Sequence, residues 1–288
     1  MVYFKVRQRS AVAVAQRILT RNPEELPVQF KGVMLGVGFL FPLLELINSA
    51  DYLHYSGLLD ENSRYKFAQK FEEIAYLVQK EKFEQAAYML SLTVMNMRMG
   101  GQKSLFQNLT GFDHHGSIAT AYRPKESIVY YLYANDTKFK KIIHVDPSRT
   151  LDGARAQLAM QLAVKDFFVD ISEKVEFVFN RTDILFYTAE FDAVFPAFNI
   201  ESEFRKVQWR GAEIYKKACR LPWHRNGNSS DELLGYQTDA GTLLYATVLF
   251  GGHYISQDRS AAVSELYGRF LNFPDSNKNS EKSGAGTC

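Results

Sequence analysis

An aspartate and a histidine, each following a short apolar run, are the residues best suited by type and spacing to move a proton. LFYTAEFDAVFP carries Asp192, and sixty-one residues later VLFGGHYISQDRS carries His253. A histidine that takes a proton from a nucleophile needs an acid to fix its tautomer and stabilise the imidazolium. Both residues fall just after apolar strand-like runs, the place where an open α/β sheet gathers its ligands. Phe186 and Phe191 near the acid, and Phe250 before the histidine, would lower the local dielectric.

Other chemistry has less behind it. His114 and His115 stand beside Asp113, but no ligand pair falls at helical or Cys-x-x-Cys spacing, so no metal is expected. Gly36-x-Gly38 lacks the third glycine of a dinucleotide fingerprint, and no cofactor is expected. Cys219 and Cys288, the two cysteines, give no basis for a disulfide framework.

The elements that must position Asp192 and His253 follow from periodicity. AVAVAQRILT reads as helix, and KGVMLGVGFL as a buried strand leaving Lys31. Residues 42–99 are helical in pattern, with Phe67, Phe71, Ala75 and Val78 at three- and four-residue spacing. Residues 100–125 read as loop. Helices are expected over 126–134, 136–142, 150–169 and 170–182, and two short ones carrying Trp209, Tyr215 and Ala218. ILFY after Asp183 and TLLYATVLF read as buried parallel strands, with SAAVSELYGRFL the last helix. The sum is an α/β chain in four parts. Residues 1–42 give a core helix and strand, 43–170 a helical cap, 171–273 the C-terminal core, and 274–288 a disordered tail.

The chain has 288 residues, enough for one large domain or two small ones, and 46% of them are hydrophobic. Its 34 basic and 32 acidic residues are scattered, which argues against nucleic acid as a partner. The longest uncharged apolar stretch, Gly32 to Leu44, is too short to span a bilayer. MVYFKVRQRS does not read as a signal peptide, whereas sequons at Asn108, Asn135, Asn180 and Asn228 suggest a secretory ancestry and make these glycosylation candidates. That tension suggests a chain without its natural beginning.

Several motifs resemble the serine carboxypeptidases, a family with the α/β-hydrolase fold. LFYTAEFDAVFP is similar to their acid motif and GGHYISQDRS to their histidine motif. Between these, Trp209-x-Gly211-x-x-x-Tyr215-x-x-Ala218, Trp223 and Gly235-Tyr236 match the family's spacing. KGVMLGVGFLFP resembles the segment ending Gly-Asn-Gly-x-x-x-Pro, and the vitellogenic-like animal members are nearest in pattern. The resemblance implies a partial α/β-hydrolase, the last strands of a mainly parallel sheet with a helical cap insertion. It also implies release of C-terminal residues from peptides through an acyl-enzyme, with Asp192 orienting His253. Secreted or lysosomal localisation would follow from the same family.

The departures from the family pattern matter as much. The family's nucleophile lies in Gly-Glu-Ser-Tyr-Gly/Ala-Gly-Lys-Tyr, and ungapped alignment puts Lys5 at the serine and Phe4 at the glutamate. No serine stands in G-x-S-x-G; Ser10 lacks the flanking glycines, and Ser229 has Asp231 at the second glycine position. The Asn-Gly-Gly-Pro-Gly oxyanion loop is absent from the sequence too. Val37 replaces the asparagine of Gly-Asn-Gly, and Thr188-Ala189 replaces Asn-Gly in the acid motif. The expectation is therefore no peptidase activity. The chain would be either an incomplete product of a longer enzyme or a short pseudoenzyme binding peptide or protein C-termini. An exposed sheet edge would favour self-association in either case. A helical interaction protein with no hydrolase heritage is the remaining reading, and it requires Asp192 and His253 to lie far apart.

Overall fold

The computed structural model describes residues 8–21, 29–95, 102–150 and 156–272. Lys5 and the stretch expected to be a disordered tail lie outside them. In chain order the elements begin with α1 (Gln8–Thr20), β1 (Gly32–Gly36), α2 (Leu43–Ile47) and α3 (Ala50–Tyr55). Then come α4 (Glu61–Gln79), α5 (Phe83–Leu90), a π-turn (Ser91–Met95), α6 (Leu105–Thr110), α7 (Glu126–Asn135) and α8 (Thr137–Ile142). α9 (Ala156–Leu162) runs into a second π-turn (Ala163–Phe167), followed by α10 (Ser172–Phe179), β2 (Asp183–Ala189), α11 (Ala197–Phe204) and α12 (Ala212–Lys217). β3 (Leu221–His224), β4 (Leu233–Ala240), β5 (Leu243–Val248), α13 (Ile255–Asp258) and α14 (Ser260–Leu271) complete the series.

Contacts divide the chain into two units. One comprises Met1–Leu53, Gly116–Ala119 and Val169–Cys288; the other comprises His54–His115 and Thr120–Phe168.

The first unit is built on a five-stranded sheet in the order β1-β2-β5-β4-β3. β1, β2 and β5 are parallel, while β4 pairs antiparallel with both β5 and β3. The parallel strands are apolar runs, and every residue of β5 is buried, the pattern of strands covered on both faces. Phe204 of α11 anchors one aromatic cluster. Its ring lies 4.6 Å from Phe186, 5.1 Å from Phe41 and 5.4 Å from Tyr245, each edge-on. A second cluster packs Leu185, Tyr187, Leu244 and Ala246 against Val263, Leu266 and Phe270 of α14.

The second unit is helical. Asp60 caps α4 by accepting from the Ser63 backbone N–H at 2.7 Å, and the helix buries Phe67, Phe71 and Ile74, whereas Ala75, expected on that face, is exposed and Val78 is half-buried. Ser104 and Gln107 form a reciprocal capping box that starts α6.

Three local expectations need correcting. The helix expected over 150–169 is described from Ala156 and converts to the π-turn at Ala163. Trp209 and Ala218 flank α12 rather than lying in helices, which leaves Tyr215 as the helical residue of the three. The stretch around Gly235 is the long strand β4, for which no strand was expected.

Candidate active site

β2 and β5 are adjacent, parallel and in register, with Ala189 opposite Val248. Their C-terminal loops therefore leave the sheet side by side, one carrying Asp192 and the other His253. The geometry follows from that placement. His253 Nδ1 lies 2.8 Å from Asp192 Oδ2, and the two side chains are 8% and 0% exposed. The other carboxylate oxygen, Oδ1, accepts from the backbone N–H groups of Val194 at 2.8 Å and Phe195 at 3.0 Å. Asp192 thus presents a carboxylate fixed by two amides to a single ring nitrogen. With Nδ1 donating to that carboxylate, Nε2 is the ring atom that can take and return a proton. The Phe195 ring, 5.4 Å from the imidazole, supplies an apolar wall.

Backbone contacts hold the two loops. Phe191 N–H donates to Gly251 O at 2.8 Å, and Gly252 N–H donates to Asp258 Oδ2 at 2.9 Å. The short segment 116–119, part of a stretch read as plain loop, braces both. His253 N–H donates to Gly116 O at 2.6 Å, and Ile118 N–H donates to Phe191 O at 3.0 Å. This closeness accounts for the second glycine of Gly-Gly-His. A Cβ at position 252 would lie 2.6 Å from the Gly116 carbonyl oxygen and 2.7 Å from Ser117 Cβ. Gly252→Ala is expected to destabilise the protein by about 1–3 kcal/mol, because the backbone there cannot give. Urea unfolding checks this, and an unchanged midpoint would dispose of the explanation.

Tyr52 was not singled out from sequence. Its hydroxyl donates to the backbone carbonyl of Glu190, two residues before the acid. Burial, and then the negative charges of Asp192 and Glu190, push its phenol well above the usual tyrosine range. An apolar helix face gives no signal that one tyrosine reaches a loop 138 residues away.

The remaining candidates fall elsewhere. Ser10 is an exposed residue of α1, and Ser229 is exposed in the turn between β3 and β4. His114 is buried in the helical unit, with Nε2 3.3 Å from Thr120 Oγ1, and burial lowers its pKa against the opposing pull of Asp113. Asp113 itself accepts from the Arg123 N–H. Among the described residues no three His, Cys, Asp or Glu side chains come together to hold a metal. A cleft of about 580 Å³ on the core unit is lined by Gln237, Asp239, Glu265 and Arg269, without Asp192 or His253. Of the sequons, Asn108 and Asn228 are exposed and Asn135 is half-buried, while half-buried Asn180 accepts from Arg210 N–H at 2.7 Å.

Compared with known proteins, residues 11–273 match the pattern of the family described as serine carboxypeptidase. The chain belongs to the serine carboxypeptidase family. A human protein named as a probable serine carboxypeptidase, CPVL, is 24% identical over 260 residues, covering 90% of this chain and 54% of the relative. The venom serine carboxypeptidase of Apis mellifera is 27% identical over 247 residues, covering 85% of this chain and 51% of the relative. The chain spans about half the length of these relatives. Among solved structures, the prohormone-processing carboxypeptidase Kex1(delta)p of Saccharomyces cerevisiae superposes with a TM-score of 0.61 at 12% identity. That match covers 91% of this chain and 58% of the other. The fold is thus part of an α/β-hydrolase with helical insertions.

Within this family member, one motif departure has a structural consequence. Val37, at the asparagine of the family's Gly-Asn-Gly, adopts φ 49° while its N–H donates to Tyr187 O at 2.9 Å. Asparagine tolerates that left-handed conformation, but a β-branched side chain is strained there by roughly 1–3 kcal/mol.

Proposed function

We propose that this chain carries the acid and the base of a serine carboxypeptidase triad and does not by itself release C-terminal residues from peptides. Asp192 orients His253 and stabilises its protonated form. His253 is the group that would deprotonate a nucleophile and then protonate the leaving amine. The observation that carries the reading is the 2.8 Å contact between two buried side chains at the ends of adjacent parallel strands. Inactivity is supported by the sequence, in which no serine has the glycine neighbours of a nucleophile elbow and no glycine-rich oxyanion loop occurs. Lys5, at the aligned nucleophile position, would need a depressed pKa to attack a carbonyl.

The test is labelling of the 288-residue chain by a fluorophosphonate probe, beside hydrolysis of a blocked dipeptide. Neither is expected above background. Strong labelling that disappears in His253→Ala would overturn the proposal of inactivity.

Routing to a secreted or lysosomal compartment is part of the same proposal, supported by family membership and by the exposed sequons at Asn108 and Asn228. Expression through the secretory route, followed by endoglycosidase digestion, checks it. An unchanged electrophoretic mobility would remove the glycosylated, secretory part of the reading.

A further inference from the structure

The histidine loop contains a conformational oddity that the proton-transfer roles do not explain. Phe250, three residues before His253, adopts φ 59°. An L-residue with a large side chain is strained there, and this ring is 58% exposed, so core burial does not hold it. The ring meets Phe191 edge-on at 5.8 Å and the Arg259 guanidinium at 5.8 Å, while the strained backbone meets Glu190, on the acid loop. Glu190 Oε2 accepts from the Phe250 backbone N–H at 3.1 Å, and its own N–H donates to Val248 O at 3.0 Å. The Glu190 carbonyl in turn takes the Tyr52 hydroxyl. One residue therefore grips the histidine loop through its side chain and the end of β5 through its amide, while Tyr52 pins it from behind.

We infer that Glu190 is a positioning residue, whose carboxylate holds the left-handed turn at Phe250 and so keeps His253 Nδ1 against Asp192. The inference rests on the Asp192–His253 reading above and adds a component to it. A charge-assisted hydrogen bond to a strained backbone amide is among the stronger contacts available to a partly exposed loop. Without it the turn relaxes toward negative φ, and the chain leading to His253 changes direction. Glu190 bonds to Phe250, Val248 and Tyr52 rather than to the imidazole or Asp192, so its effect passes through the loop.

The readout is the His253 Nδ1 proton, observed by NMR on ¹⁵N-histidine-labelled protein, with its exchange rate with water. The wild-type proton should resonate far downfield and exchange slowly. Glu190→Ala should speed exchange by about tenfold, the opening expected when one hydrogen bond to a charged acceptor is lost. Glu190→Gln, which keeps an acceptor oxygen without the charge, should fall between wild type and Glu190→Ala. Phe250→Gly removes the strain, since glycine takes positive φ freely, and in combination should rescue Glu190→Ala. Wild-type exchange in Glu190→Ala, or no rescue by Phe250→Gly, overturns the inference. Asp192→Asn separates the two layers: it should abolish the downfield signal. Its persistence in that variant would show that the pair itself is misread. Thermal unfolding of each variant confirms that the comparison is among folded proteins.

Discussion

Asp192→Ala is expected to lower the stability of the protein by about 3–5 kcal/mol, the cost of leaving a buried pair without one partner. The carboxylate is fully buried and accepts from Val194 N–H, Phe195 N–H and His253 Nδ1. Alanine leaves all three donors without that acceptor, in a place where water has little access, and each unsatisfied donor costs about 1–3 kcal/mol. Asp192→Asn should cost less, because Oδ1 survives to cap the two amides while the amide nitrogen faces the ring. Chemical unfolding followed by circular dichroism ranks the two variants. Equal stability of Asp192→Ala and wild type would mean that the acid is not buried against the histidine at all.

Phe204→Ala is expected to be comparably damaging, about 3–5 kcal/mol, through a cavity rather than lost polar contacts. Phe204 is 1% exposed and touches rings from three directions: Phe41 after β1, Phe186 on β2 and Tyr245 on β5. Those last two strands are the ones that carry the acid and the histidine. The substitution should therefore also loosen the site, and Phe204→Leu, which fills much of the volume, should recover most of the loss. Calorimetric unfolding decides this. A shift in melting temperature of less than a degree for Phe204→Ala would contradict the packing described.

The strands that place the site could be read from sequence because each is a compact apolar run bounded by polar residues, as with ILFY after Asp183. The hairpin of β3 and β4 could not. Leu221–His224 contains Pro222, which marks an edge strand at best. Leu233–Ala240 mixes Gly235, Gln237 and Asp239 into its pattern, so its apolar content stays low. Trp209 and Ala218 fall outside helices because α11 ends at Phe204, Trp209 lies in the bend leading to Gly211 at the start of α12, and Ala218 leaves α12 in extended backbone. Asp192 and His253 stood out because their side chains are chemically distinctive. The 116–119 brace did not, since it acts through peptide groups that every residue has. Tyr52 was hidden for a related reason: its hydroxyl meets a backbone carbonyl, and nothing in the local sequence names the acceptor.

The brace also has a mechanical side. Gly116–Ala119 belongs to the sheet-bearing unit, yet the residues on both sides of it, up to His115 and from Thr120, belong to the helical one. The carbonyl that receives the His253 amide thus sits in a short segment entered and left through non-helical backbone. Loosening of this segment would release the His253 backbone first, because its carbonyl is the acceptor of that amide. Amide exchange at His253 would then report on the seating of Gly116–Ala119 against the histidine loop.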